Sequence, residues 1–232
     1  MRKKIVILSF ILIVSLFLAA ACSLTGSAVK NNDQCSSLES SAKDECYFEA
    51  NKCSKIENKD IRDSCVAELA KIKKDIKVCD LIVSDKTKAY CQEEIAIIQN
   101  NQNICREIED LYWRDNCNFH LGINNNKDVY CLLVSNTQQK EDCFKEIALA
   151  TNNHILCEVL QDNEREGCIF KIAKITKNVE ICQELSKPTN RDSCKYNIAR
   201  LRGDKEICKQ IGTRIIRESC EANFGPKPVS ES

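Results

Sequence analysis

The chain has 232 residues, with 34 basic side chains balancing 34 acidic ones, and 17 cysteines. Charge balance argues against nucleic acid as a partner, because polyanion binding needs a basic excess. The cysteine density excludes an ordinary cytosolic domain and leaves either an oxidising compartment or a metal store.

The N-terminus separates these two. Arg2, Lys3 and Lys4 precede an apolar run from Ile5 to Leu18, broken only by Ser9 and Ser15. A basic start followed by such a run is an export signal, expected to span residues 1–21. Leu18-Ala19-Ala20-Ala21-Cys22 resembles the lipobox of prokaryotic lipoproteins, in which the cysteine is lipidated. It departs from that pattern in having Ala19 three places before Cys22, with Leu18 one further back. Cleavage by an ordinary signal peptidase before Cys22, and retention of the run as an anchor, are the alternatives. All three place the remainder outside the cytoplasm, in the cell envelope or secreted. Residues 22–34 are expected to be the modified cysteine and a flexible linker.

From Cys53 onward the cysteines recur with gaps of 12 and 14 residues, with a single gap of 11 before Cys168. The period is therefore 26 residues, in seven units. Three places after each first cysteine stands an aliphatic residue: Ile56, Ile82, Ile108, Val134, Leu160, Leu185 and Ile211. Four places after each second cysteine comes another large apolar residue (Leu69, Ile95, Leu121, Ile147, Ile172, Ile198, Phe224), always followed by Ala or Gly. Spacings of three, four and seven define one helix face, on which Ile72, Ile98, Ile175 and Leu201 are also expected. The small residue is expected to admit a close neighbour.

Capping residues divide each unit into a short helix A and a long helix B. Asp75, Asn101, Asn153, Asn178 and Asp204 precede helix A; Asn58, Ser84, Asp110, Asn136, Asp162 and Thr213 precede helix B. Such side chains accept hydrogen bonds from the free amides of a first turn. This spacing predicts about eight residues in A and about fourteen in B. A hairpin of this size cannot bury a core alone, so the expected fold is an all-α, disulfide-stapled αα-hairpin repeat stacked as a solenoid over residues 35–224. Cys35 and Cys46 begin it as a shortened cap, and residues 225–232 read as a frayed tail.

Sixteen repeat cysteines leave Cys22 as the odd one. In an antiparallel hairpin the first cysteine lies roughly 6 Å from the A–B turn and the second roughly 10 Å, whereas a pairing across repeats would join heights of roughly 13 and 6 Å. The predicted bridges are therefore Cys35–Cys46, Cys53–Cys65, Cys79–Cys91, Cys105–Cys117, Cys131–Cys143, Cys157–Cys168, Cys182–Cys194 and Cys208–Cys220. Each closes a loop worth about 3 kcal/mol in chain entropy. A metal store would favour close-spaced cysteines with histidines; this chain has no Cys-x-x-Cys and only His120 and His154. No metal site, cofactor or catalytic residue is assigned.

A basic-acidic pair such as Arg114-Asp115 or Arg191-Asp192 precedes most second cysteines. Its recurrence points to the fold, with arginine and carboxylate of neighbouring repeats expected to meet. The third unit breaks the pattern most, with Tyr112, Trp113, Phe119, His120 and Tyr130. These are the candidate binding residues, since clustered aromatics suit carbohydrate or protein contacts. No acid or nucleophile is read near either histidine.

The architecture resembles that of Sel1-like cysteine-rich proteins, which also carry one bridge per hairpin, although their repeats are longer and no site transfers. It is also similar to uncharacterised prokaryotic lipoproteins with tandem cysteine-containing hairpins. The expected function is non-catalytic binding or scaffolding at the cell surface, with another protein or a cell-envelope polymer as partner and the membrane reached through the N-terminus. An envelope hydrolase or redox enzyme, or a metal-sequestering protein, are the alternatives.

Overall fold

The computed structural model describes residues 33–224. The expected signal peptide, Cys22, most of the linker and the tail lie outside the described residues. Every regular element among the described residues is helical. Two units are distinguished, dividing after Ile56.

In the first unit a short 3-10 turn at Gln34–Ser37 leads to α1 (Ser40–Glu49) and a second turn at Cys53–Lys55. Cys35 bridges to Cys46 with Cα atoms 5.5 Å apart. The buried Tyr47 donates its hydroxyl hydrogen to Asp33, 3.0 Å away. Helix α1 has ten residues, against fifteen in each of the next six long helices, as the shortened cysteine spacing predicts.

The second unit contains α2 (Lys59–Lys73), α3 (Asp85–Gln99), α4 (Leu111–Asn125), α5 (Thr137–Thr151), α6 (Asp162–Thr176), α7 (Pro188–Arg202) and α8 (Arg214–Ala222). Short A segments return the chain between them and are shorter than expected. They run four to six residues, as single α turns at Ile76–Cys79, Gln102–Glu107 and Asp128–Cys131, then as 3-10 turns at His154–Val159, Glu180–Glu184 and Lys205–Gln210. The cause is the aliphatic residue three places after each first cysteine. Ile108, Leu160, Leu185 and Ile211 adopt extended backbone, which ends the segment. These residues are at most 4% exposed and plug the core.

Successive long helices run parallel. Gln99 at the end of α3 donates to the Lys74 carbonyl at the end of α2 (2.7 Å), and Gln139 early in α5 donates to Asn116 early in α4 (2.6 Å). The predicted core rows are buried: Ile95, Leu121, Ile147, Ile172 and Ile198 are fully enclosed. Ile72, Ile98, Ile175 and Leu201 are exposed instead, because the one-turn A segments are too short to cover the last turn of each long helix.

The bridges run within hairpins. Six are seen in the second unit, from Cys79–Cys91 to Cys208–Cys220, with Cα separations of 5.5–5.8 Å. Cys53 and Cys65 are disulfide-bonded as well. These oxidised cysteines point to an oxidising, extracytoplasmic location.

Each long helix from α2 to α7 ends in a left-handed residue: Lys74, Asn100, Asn126, Asn152, Lys177 or Gly203. The next amide then reaches back to the small residue, for example Asp75 to Ala70 (3.1 Å) and Lys127 to Gly122 (2.9 Å). That is the six-to-one bond of a Schellman cap. The small residue has a second task. A Cβ on Gly122 would stand 3.0 Å from Cys143 Sγ and 3.4 Å from Cys131 Sγ, so the next repeat's disulfide packs directly on it.

Asp75, Asn101, Asn153, Asn178 and Asp204 cap the A segments as predicted. Asn58, Ser84, Asp110 and Asn136 cap the long helices. Two predicted caps differ. The shortened spacing before Cys168 moves Asp162 into the first helical position, with φ of 38°, and leaves Gln161 at the cap. Thr213 occupies the cap position of α8 without a side-chain bond to the first turn.

Candidate functional site

In four long helices the acid two places before the second cysteine joins one repeat to the next through backbone amides of the following turn; only Glu166 also meets an arginine, Arg165 of its own repeat at 3.3 Å. Asp63 accepts from the amides of Val83 and Ser84 (3.3 and 2.8 Å), and Asp115 from those of Ser135 and Asn136 (2.9 Å each). Asp192 accepts from Gly212 and Thr213 (3.0 and 2.7 Å). Glu166 takes the amide and hydroxyl of Ser186 and the Asn190 side chain, each at 2.8 Å. All four acids are buried. Burial acts to raise the carboxyls of Glu166 and Asp192, but these donors outweigh it and hold both below the usual carboxylate range. Arg114 and Arg217 turn to carbonyls of their own repeat, Ile108 and Ile211, whereas Arg165 pairs with Glu158 and donates to the Glu184 carbonyl of the next repeat.

Ala89 takes the place of this acid in α3, so no carboxylate clamps the turn before α4. A polar cavity of about 410 Å³ opens there among Lys88, Gln92, Glu107, Glu109 and Asp110. Two side-chain contacts link α3 to α4 instead. His120 Nδ1 is 2.7 Å from Oε1 of the buried Glu93, and Trp113 packs edge-on against Tyr90 with centroids 5.7 Å apart. The hydrogen bond to Glu93 raises the His120 pKa above its ordinary value; burial opposes it, and the charges of Glu93 and Glu94 add to it. Glu93 is the acid the sequence reading missed. Its signal was a carboxylate at a position that holds Ala67, Phe119, Phe170, Tyr196 and Ala222 in other repeats and a charge of the opposite sign, Lys145, in one.

The five candidate residues therefore divide. Trp113 and His120 face back to α3. Tyr130 is half-buried in the row otherwise filled by Val78, Ile104, Leu156, Ile181 and Ile207, a packing position. Tyr112 and Phe119 line a groove of about 650 Å³ between α4 and α5. Leu111 and these two rings form its apolar wall, and Asn116, Gln138, Gln139 and Asp142 its polar side. Phe119 also meets the His120 ring edge-on at 5.5 Å.

A second groove of about 290 Å³ lies between α6 and α7, lined by Asn163, Glu166, Gly167, Phe170, Leu185, Asn190 and Ser193. The repeat register superimposes the two. Counted from the second cysteines, Phe170 corresponds to Phe119, Asn163 to Tyr112, Asn190 to Gln139 and Ser193 to Asp142. A ring beside carboxamides thus recurs two repeats apart on the same face. Parallel helices packed 8–10 Å apart put the two grooves roughly 20 Å from each other. Sequence reading found the rings but not the amides, which come from the following repeat.

Among the described residues no cluster of three potential metal ligands is formed. Compared with known proteins, the chain matches no family model, no curated protein and no solved structure.

Proposed function

We propose that this chain is a non-catalytic binding protein of the cell envelope, tethered through its N-terminus, that holds an extended polymer across the grooves between its long helices. The recurrence of one groove chemistry at equivalent positions two repeats apart carries this reading. A single small ligand needs one enclosed pocket. Two open grooves on one face suit a chain-like ligand that engages both, with the gain in affinity that linked contacts give. Aromatic faces stack on sugar rings while carboxamides exchange hydrogen bonds with hydroxyls, so a polysaccharide is the leading class and an extended polypeptide the second. The disulfides serve this role by keeping the solenoid rigid outside the cell.

The test is retention of the full chain on insoluble envelope polysaccharides, including peptidoglycan sacculi, with soluble oligosaccharides as competitors. Replacing Tyr112 and Phe119 by alanine is expected to weaken retention about tenfold or more, a loss of roughly 1.4 kcal/mol. Phe170→Ala is expected to weaken it less, and all three together to abolish it. Unchanged retention in the triple variant overturns the groove reading.

A further inference from the structure

Because the long helices of residues 57–224 run parallel, their C-terminal ends form one edge. There the last turn of four helices shows solvent an aliphatic side chain: Ile72, Ile98, Ile175 and Leu201 are 65, 42, 53 and 46% exposed. Asn124 and Ala150 take this position in α4 and α5, so the aliphatics form two neighbouring pairs. Basic residues flank three of the four. Lys73 and Lys74 stand beside Ile72, Lys174 and Lys177 beside Ile175, and Arg200 and Arg202 beside Leu201, all six exposed. The last turns of α2, α6 and α7 contain no acid, although Asp75, Glu180, Asp204 and Glu206 lie on the same edge at the starts of the A segments, Asp204 at 3.7 Å from Arg202. The opposite edge, where these helices begin, mixes both signs, with Asp85, Glu107, Glu109, Asp110, Glu158 and Glu164 among Lys59, Lys86, Lys88, Lys187 and Arg214. In a chain with no formal net charge, this is an asymmetry of placement.

Exposed aliphatic side chains between lysines and arginines match one kind of surface. An anionic bilayer accepts the aliphatic groups at the headgroup boundary and the cations at its phosphates. A second copy meeting edge to edge would set six cations against six.

We propose that this edge rests on the anionic lipid surface of the membrane, with the opposite edge and the openings of both grooves turned away from it. The tether belongs to the functional reading above, and the edge would bind lipid without it.

The full chain, reconstituted with vesicles whose acyl chains carry bromine, separates the two. Flotation with pure phosphatidylcholine vesicles reads the tether. Quenching of a tryptophan introduced as Ile175→Trp in a Trp113→Phe background reads the edge. With vesicles containing phosphatidylglycerol, that tryptophan is expected to lose about half its emission or more, while the native Trp113, near the start of α4, keeps its own. Replacing Lys174, Arg200 and Arg202 by glutamate is expected to restore the emission without abolishing flotation. Flotation without quenching, or equal quenching from both sites, overturns the edge proposal and leaves the tether standing. Flotation only when phosphatidylglycerol is present overturns the tether and supports the edge. No flotation with either lipid overturns both.

Discussion

The junction between α4 and α5 and the junction between α3 and α4 use different latches on the same frame. In the first, Asp115 accepts two backbone hydrogen bonds from the following turn. In the second, Ala89 removes that acid, and His120–Glu93 together with Tyr90–Trp113 spans the interface. Staple, small residue and core row persist through both. The shared frame fixes the stacking, and the latch is interchangeable, which frees individual junctions to diverge.

The largest effect should come from breaking the form of the latch that recurs along the chain. Asp115→Ala leaves two amides of the Ser135–Asn136 turn without an acceptor, and is expected to cost about 2–3 kcal/mol in urea unfolding. Faster hydrogen exchange should be confined to that turn and the start of α5. Uniform loosening across all repeats would instead mean that the clamps act globally.

Acidity should distinguish the two latches in opposite directions. The His120 value is raised on folding, so its contribution is complete below the ordinary histidine value of about 6.5 and is lost as pH rises through the raised folded value. Those of Glu166 and Asp192 are lowered, so the clamps they form are complete above the ordinary carboxylate range of about 4 and are lost as pH falls through the lowered folded values. Hydrogen exchange, corrected for its intrinsic pH dependence, should show α3–α4 loosening first on the alkaline side and α6–α7 on the acid side. Loosening of both junctions on the same side would refute the assignment.

The smallest effect should come from restoring the common latch where it was lost. Ala89→Asp supplies an acceptor for the Glu109 and Asp110 amides, with an expected gain of about 0.5 kcal/mol in urea unfolding, reduced by the acids already around that cavity. A loss of 1 kcal/mol or more would show that the turn before α4 is not shaped as the others are.

What could be read in advance was what lies close along the chain. The cysteine pairing, the Asx caps at Asp75 and Asn101, and the row from Ile95 to Ile198 all follow from helical spacing within one unit. What one repeat does to the next was harder to read. Asp115 looked like half of an ion pair because its true partners are amides, which have no signature in the sequence. Ile72 and Leu201 keep the period of the core and are nonetheless exposed, because the length of the covering segment is set by where Ile82 and Ile211 turn inward. Half of the α4–α5 groove comes from Gln138, Gln139 and Asp142, residues with no aromatic or ionic pattern of their own.

The staples also set the mechanics of the molecule. A pull along the chain would pass through each Cys–Cys bridge and bypass the residues it encloses, such as those between Cys79 and Cys91. Only the stretch between staples, such as Cys91 to Cys105, could lengthen, which limits the extension to about 50 Å per repeat against nearly 90 Å once the bridges are reduced. Under load the row would give way in short, equal steps, each stopped by covalent bonds before its hairpin is lost, and each positioned to re-form when the tension falls.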